Sequence, residues 1–473
     1  MEDIHDELID RCMYGELTDI QEIKDMLTPE IVRTNNNEAL REVCKGGHTA
    51  MARWLIETFE LTAEDIRANN NFALREICDH DEFEFAQWLI ETFELTADDI
   101  RAYNNYVLRT SCEMHEFKFT LWLIETFELT ADDIRADNNY VLRTSCEMYE
   151  LKFTQWLIET FELTADDVRA DNNYVLHHTY EWREFEFAQW LIERLELTAD
   201  DIRTDNNYAL RETCEWGRFD HARWLIKHFE LTAEDICFED ICVLHWACDM
   251  DDLNFIKWVV KTCNLTTDHI RTNNNDALCT ASVNEYFDIV MWFIDNFDLT
   301  ADDIRAKDNL VLKTLCYAGE TRLAKRIADQ FNLTADDIRA DNNSALRYAC
   351  YQGHNGTVKW IVRRFNLTLD DMRVRGTESY GSYPLVSACI KGHLKVARWI
   401  TDYFGLTPDD ARVGGNYILR HVCENGHKNV AQWLIDQFGL TQEDLGDELS
   451  KYGLMSNSDT NGSLGPKFAA MGV

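Results

Sequence analysis

At 473 residues the chain is too long for one compact core, and length alone suggests about three domains unless the sequence repeats itself. Hydrophobic residues make up 45% and there are only four prolines, which excludes a disordered chain and favours helices joined by short turns. The charge is 85 acids against 46 bases, a net of −39, which argues against a nucleic-acid binder, since such a protein needs clustered Lys and Arg to replace phosphate counterions.

The N-terminal MEDIHDELIDRC is acidic and lacks the apolar stretch of a secretory signal. No apolar run approaches the roughly 18–20 residues of a membrane span. An intracellular, cytoplasmic protein is expected, with the nucleus also open to it. The sequons at Asn264, Asn332 and Asn366 then read as incidental. Residues 1–30 read as a shortened, capping half-repeat.

Beyond residue 30, tryptophan sets the register. Trp54, Trp88, Trp122, Trp156, Trp190, Trp224, Trp258 and Trp292 lie 34 residues apart; Arg326 takes the next slot, then Trp360, then Trp399 after an insertion at 375–383, then Trp433. Residues 31–445 therefore read as one quasi-linear array of twelve units. Two neighbours, 103–136 and 137–170, differ at only five of 34 positions, which points to recent duplication. Residues 446–473, with SNSDTNGSLGP, read as a cap remnant and a flexible tail.

Each unit reads the same way. In Asn71–Cys78 the apolar Ala73, Leu74, Ile77 and Cys78 share a helix face, with Asn71 expected as its N-cap. A second helix comes next, with a wide stripe of Phe85, Trp88, Leu89 and Phe93. Then comes Leu-Thr-Ala-Asp-Asp-Ile-Arg (95–101), where Thr96 and Asp99 fit a capping box and predict a third, very short helical turn. The period of 34 first suggests tetratricopeptide repeats, but their Trp, Leu-Gly and Tyr pattern in the first helix is missing.

The unit instead resembles ankyrin repeats. The residues that carry the resemblance are Tyr383-Pro384-Leu385-Val386-Ser387-Ala388-Cys389, then Gly392-His393 and Val396-Ala397-Arg398-Trp399-Ile400, with Val243-Leu244-His245-Trp246-Ala247-Cys248 as a second instance. Gly47-His48, Gly353-His354 and Gly426-His427 keep the turn. Against the family, the segment from Asp65-Ile66-Arg67-Ala68 to Leu74 is shorter and the one before Asp65 is longer. The expected fold is an all-α, ankyrin-like solenoid of helix pairs, with the hairpin finger trimmed to an Asn-rich turn and a short third helical turn per repeat. Degenerate units of this kind are similar to those of protist and giant-virus ankyrin proteins. The resemblance implies a non-catalytic protein-protein interaction scaffold that docks partners on the concave face lined by the first helices.

Ten of the 15 cysteines fall on one repeat position (Cys44, Cys78, Cys112, Cys146, Cys214, Cys248, Cys316, Cys350, Cys389 and Cys423), where a small core hydrophobe is expected. Packed helices about 8–10 Å apart cannot bring successive ones within disulfide reach. Cys237, Cys242, His245 and Cys248 are potential zinc ligands, but two sit at ordinary repeat positions and no other unit repeats the set, so neither metal nor cofactor is expected. A turn arginine (Arg67, Arg101, Arg135 and equivalents) is expected to pair with acids of its own or the neighbouring unit, and a second (Arg75, Arg109, Arg143) to tie loops. No Gly-rich phosphate loop, nucleophile elbow or His-Glu-x-x-His occurs, and the Asp98-Asp99 pairs recur in every unit, so no enzyme is expected.

The candidate partner face is what remains. After the Asn come Tyr106, Tyr140, Tyr174 and Tyr208; further along come Met114, Met148, Trp182 and Trp216 beside acids that include Glu147 and Glu181. The tyrosines have an equally good reading as packing between repeats. Residues 69–204 hold 30 acids and 11 bases, whereas 341–440 hold 9 and 12, so the acidic part favours a basic protein partner. A monomer is expected. A structural spacer or self-assembling rod is the alternative.

Overall fold

The structure, a computed structural model, describes residues 2–14, 17–114, 117–148, 150–238, 241–374 and 383–440. Most of the 375–383 insertion and all of the 446–473 tail lie outside the described residues. Two compact units divide the chain, Met1–Glu230 and Leu231–Val473. Each is a helical solenoid, as expected, and the one pair of strands among the described residues is Cys237–Phe238 with Ile241–Cys242.

The repeat is built from its letters. Thr62 opens it with a capping box: its N–H and hydroxyl donate to Asp65 Oδ2 at 2.8 and 3.0 Å, which starts the helix Ala63–Asp79. After one turn the chain leaves helical geometry at Ala68 (φ −55, ψ 140) and runs through three left-handed residues, Asn69, Asn70 and Asn71, with φ of 55, 58 and 55. Residues 72–79 then form the first long helix, burying Ala73, Leu74, Ile77 and Cys78. Asp81 turns the chain at φ 61 into the second helix, Phe83–Thr92, which buries Phe83, Phe85, Ala86, Leu89 and Ile90. Trp88 stacks on Phe85 with centroids 5.2 Å apart and meets Phe93 edge-on, which explains its fixed place in the register. Glu94, at φ 46, ends the repeat, and buried Leu95 leads to the next cap.

The left-handed run corrects the N-cap expectation. Asn71 has φ 55 where an N-cap is extended, and its Oδ1 accepts no hydrogen bond. Its Nδ2 instead donates to the Asp99 carbonyl of the next repeat at 3.0 Å, and Asn105 and Asn139 do the same to Asp133 and Asp167. Left-handed residues cost about 1–2 kcal/mol each for ordinary side chains, least for Asn and Asp, which is why these letters fill the turn. The second arginine holds the turn from outside: Arg75 Nε donates to the Asn70 carbonyl at 3.1 Å and Arg109 Nε to Asn104 at 3.0 Å. So the hairpin finger is trimmed, to one turn of left-handed helix.

The turn between the long helices keeps positive φ whether or not glycine fills it: Gly353 and Gly392 stand at 77 and 80, Arg183, Asp251 and Glu285 at 64, 58 and 63. At Gly392 a Cβ would sit 2.6 Å from His427 Nδ1 of the next repeat, so there the glycine is needed for close approach as well. Cysteines of the repeat position are free and buried, as expected of core filler. At the N-terminus Leu8 and Cys12 of the helix Glu2–Tyr14 are wholly buried as it packs on Thr34–Lys45.

One interaction joins successive repeats. Arg67 Nε and Nη2 grip Asp99 Oδ1 and Oδ2 at 2.8 and 3.0 Å, across 32 residues, while Oδ2 also holds the Thr96 cap. The same clasp recurs at Arg101–Asp133, Arg135–Asp167 and Arg169–Asp201 in the first unit, where Arg33 reaches Asp65 through Nε alone, and at Arg271–Asp303, Arg305–Asp337, Arg339–Asp371 and Arg373–Asp410 in the second. The first aspartate of each pair points to water: Asp132 is 96% exposed against 7% for Asp133. Burial opposes ionisation of Asp133, yet the Arg101 guanidinium and the Thr130 N–H and hydroxyl hold its carboxyl below the usual range; the equivalent groups hold Asp303 down to about 2.

Asp133→Asn removes a cap and a charge-assisted pair and should cost about 2–4 kcal/mol in urea unfolding, against about 0.5 kcal/mol or less for Asp132→Asn. Because the clasp carboxyls are depressed in the fold, their stabilisation is complete above about pH 4 and is lost as pH falls below that range, at Asp303 as it passes about 2. Circular dichroism should show helix melting in that window and moving to higher pH in Asp133→Asn.

Candidate interaction face

The first long helices of neighbouring repeats pack on one another in the Met1–Glu230 unit and set their residues in rows 34 apart. The tyrosine row lies between repeats. Tyr106 donates its hydroxyl to Asp79 Oδ2 at 2.8 Å on the preceding helix, Tyr140 donates to Glu113 and Tyr174 to Glu147. All of them, and Tyr208, are half-buried. Arg109 sits between the rings of Tyr106 and Tyr140, at 5.6 and 5.1 Å, and Arg143 between Tyr140 and Tyr174, at 5.5 and 5.6 Å. These arginines also reach acids of the next repeat, Arg143 meeting Asp171 at 2.7 Å. Of the two readings of the tyrosines, packing between repeats is the one their contacts match.

Burial, then the Asp79 carboxylate, pushes the Tyr106 phenol up to about 12; burial and Glu113 do the same at Tyr140, and burial with Glu212 at Tyr208. Glu147 takes the Tyr174 hydroxyl and is itself half-buried, so it belongs to the packing.

The exposed row lies at the C-terminal caps of the first long helices. Met114 is 37% exposed, Trp182 45% and Trp216 42%; Met148 is half-buried. Glu181 is exposed beside Trp182 and meets His178 Nδ1 at 3.1 Å; Glu215 is exposed beside Trp216. Trp182 Nε1 donates to His178 Nε2 at 2.6 Å and Trp216 Nε1 to Glu212 at 3.3 Å, which stands both rings on their own helices. The Arg183 guanidinium covers the Trp216 ring at 3.3 Å. Nothing in the repeat pattern singles out Arg183, although its slot is one that glycine fills elsewhere in the array.

In the Leu231–Val473 unit the four candidate zinc ligands are not assembled. Cys237 and Cys242 face one another across the strand pair and are joined as a disulfide; Cys248 is wholly buried on its helix; His245 Nδ1 meets Asp276 Oδ2 at 2.5 Å. Among the described residues no group of three His, Cys, Asp or Glu is placed to hold a metal ion. Nor is any helix there long and apolar enough to cross a membrane.

This architecture is that of a helical repeat protein. The family described as "Ankyrin repeats (many copies)" matches residues 385–435, the segment where the sequence resemblance is clearest and where the helix pairs Pro384–Ile390 with Leu394–Phe404 and Val413–Glu424 with Lys428–Phe438 lie. Among solved structures, the pentatricopeptide repeat protein PPR10 from maize is 14% identical with a TM-score of 0.37, over 93% of this chain; the chain spans 62% of the length of that one. A circular tandem repeat protein with novel repeat topology is 12% identical with a TM-score of 0.13, over 95% of this chain and 93% of that one. No curated protein sequence matches the chain.

The packing role of the tyrosine row can be measured. With the Tyr106, Tyr140 and Tyr208 phenols raised from about 10 in an unfolded chain, their stabilisation is complete below about pH 10 and lost as pH rises through about 12. Absorbance titration should show tyrosinate from this row only as the helix signal falls. Absorbance near pH 10 in a fully helical protein that Tyr106→Phe/Tyr140→Phe removes would contradict the packing role.

Proposed function

We propose that the chain is a non-catalytic interaction scaffold that holds a basic segment of another protein against the exposed row at Met114, Trp182 and Trp216. The observation that carries this reading is the pairing of exposed aromatic and Met side chains with the exposed acids Glu181 and Glu215, in a stretch where residues 69–204 hold 30 acids and 11 bases. Large flat side chains supply contact area at low entropic cost, and an acidic field steers a cationic partner. The same field repels a polyanion, which disfavours RNA or DNA as the occupant. Tyr106, Tyr140, Tyr174, Tyr208 and Glu147 act in this reading as the wall behind the row, Met148 as its half-buried floor. The ankyrin match and the resemblance of the unit to ankyrin repeats support a repeat scaffold; in this reading it works in the cytoplasm as a monomer.

Fluorescence anisotropy with labelled Lys/Arg-rich peptides carrying interspersed leucines tests this. Binding should weaken at least about tenfold between about 50 and 300 mM salt, and by a similar factor in Glu181→Lys/Glu215→Lys and in Trp182→Ala/Trp216→Ala. These positions are exposed, so the helix content should not change. Peptide affinity indifferent to all three changes would sink the reading, and a concentration-dependent oligomer without peptide binding would favour a self-assembling rod.

A further inference from the structure

The clasp that recurs along the array has both of its partners exchanged at one place. Counting 34 back from Arg271 puts Cys237 in the arginine slot, and 34 back from Asp303 puts His269 in the aspartate slot. His269 keeps the capping role, its Nδ1 accepting from the Thr266 N–H at 3.0 Å, but nothing there corresponds to the guanidinium–carboxylate grip; Cys237 Sγ lies 4.0 Å from the His269 carbonyl oxygen. The left-handed Asn run is exchanged as well. Its slots hold Glu239, Asp240 and Ile241, and the chain forms the antiparallel pair that sets Cys237 opposite Cys242, with Cα atoms 4.1 Å apart. Cys242, 7% exposed, faces the next repeat, where it shares a small cavity with His269, Thr272 and Asp276. The strand Ile241–Cys242 packs there on the helix Thr272–Val283.

We propose that Cys237 and Cys242 form a reversible thiol–disulfide clasp, a modification site that firms this joint where the arginine–aspartate pair is missing. Closed, the disulfide fixes the strand pair whose second strand the next repeat rests on. Open, the joint has neither the ion pair nor the covalent tie, and it becomes the softest place in the Leu231–Val473 unit. Selectivity comes from burial. The other 13 cysteines are free and buried, whereas Cys237 is half-buried and meets solvent. Burial also pushes the core thiols up, Cys112 and Cys316 to about 12, which keeps them from forming the thiolate that reacts.

The oxidant is a low-molecular-weight disulfide. The Cys237 thiolate attacks one of its sulfurs, forming a mixed disulfide and releasing one small thiolate; the Cys242 thiolate then attacks Cys237 Sγ, breaking the mixed bond and releasing the second. The two protons of the protein thiols pass through water to the two leaving thiolates. Two protein thiols are oxidised and one small disulfide is reduced. Excess small thiol runs the same steps backwards.

Hydrogen exchange on the full chain, with and without a phosphine reductant, reads the clasp. Reduction should speed exchange about tenfold or more at Val243, whose N–H donates to the Ile236 carbonyl at 3.0 Å, and along Thr272–Val283, with Ala306–Ala318 unchanged. Cys237→Ser/Cys242→Ser should show the fast pattern under both conditions. Cys237→Arg/His269→Asp, which restores the ion pair, should be slow and indifferent to reductant. Intact mass after treatment of reduced protein with a small disulfide should fall by two hydrogens without an adduct. Equal exchange in the oxidised and reduced protein, or a lasting adduct on Cys237 in place of the internal bond, would overturn the proposal.

Discussion

The array hangs on one carboxylate in each repeat but the one where His269 takes its slot. Asp99 caps its own short helix through Thr96, accepts from Nε and Nη2 of Arg67 and offers its carbonyl to Asn71, so three groups from two repeats converge on one residue. A repeat protein has no long-range core, and each unit can be stabilised only by itself and its neighbours. Placing the cap and the inter-repeat pair on the same carboxylate makes the two inseparable: the short helix cannot open without releasing the neighbour. Surface ion pairs are worth little, but this one is nearly buried on the acid side, bidentate and backed by a cap.

The left-handed turn is the geometric counterpart of that clasp. It carries the chain from the short helix to the first long helix through three left-handed residues, and it aims the Asn71 amide at the next repeat. Arg75 binds the outward carbonyls that such a turn leaves exposed. Contacts on both of its sides therefore offset the strain of the turn. In the repeat whose sequence has Glu239, Asp240 and Ile241 in these slots, Cys237–Phe238 pairs with Ile241–Cys242 as strands.

Much of this is legible because the sequence repeats. Thr96 and Asp99 announce the short helix, the apolar spacing of Ala73, Leu74, Ile77 and Cys78 marks the first long helix, and Arg67 recurs opposite acids of the neighbouring unit. The Asn run misleads because the same residue type favours an N-cap and a left-handed backbone, and only the neighbouring carbonyl decides between them. The tyrosines are ambiguous in sequence for a related reason. A ring one position past the Asn can face solvent or lean back on the preceding helix, and the partner that draws it back, Asp79 or Glu147, lies 27 residues earlier in a different repeat. Trp182 and Trp216 keep their exposure, which tethers such as that of Trp216 to Glu212 within one helix do not take away.

The clasp also bears on how such a chain grows. Its two halves sit 32 residues apart at each joint where it occurs save Arg373–Asp410, which the insertion stretches to 37, so a 34-residue block cut from the regular register carries one arginine forward and one aspartate back. Inserting or removing such a block leaves every remaining joint with the chemistry it already had. Residues 103–136 and 137–170, alike at all but five positions, show a block of that kind side by side with its copy. Array length is thus free to drift while each interface stays constant, and with it the number of exposed side chains a repeat adds to the row. Duplication in such a chain is a change of valency without a change of fold.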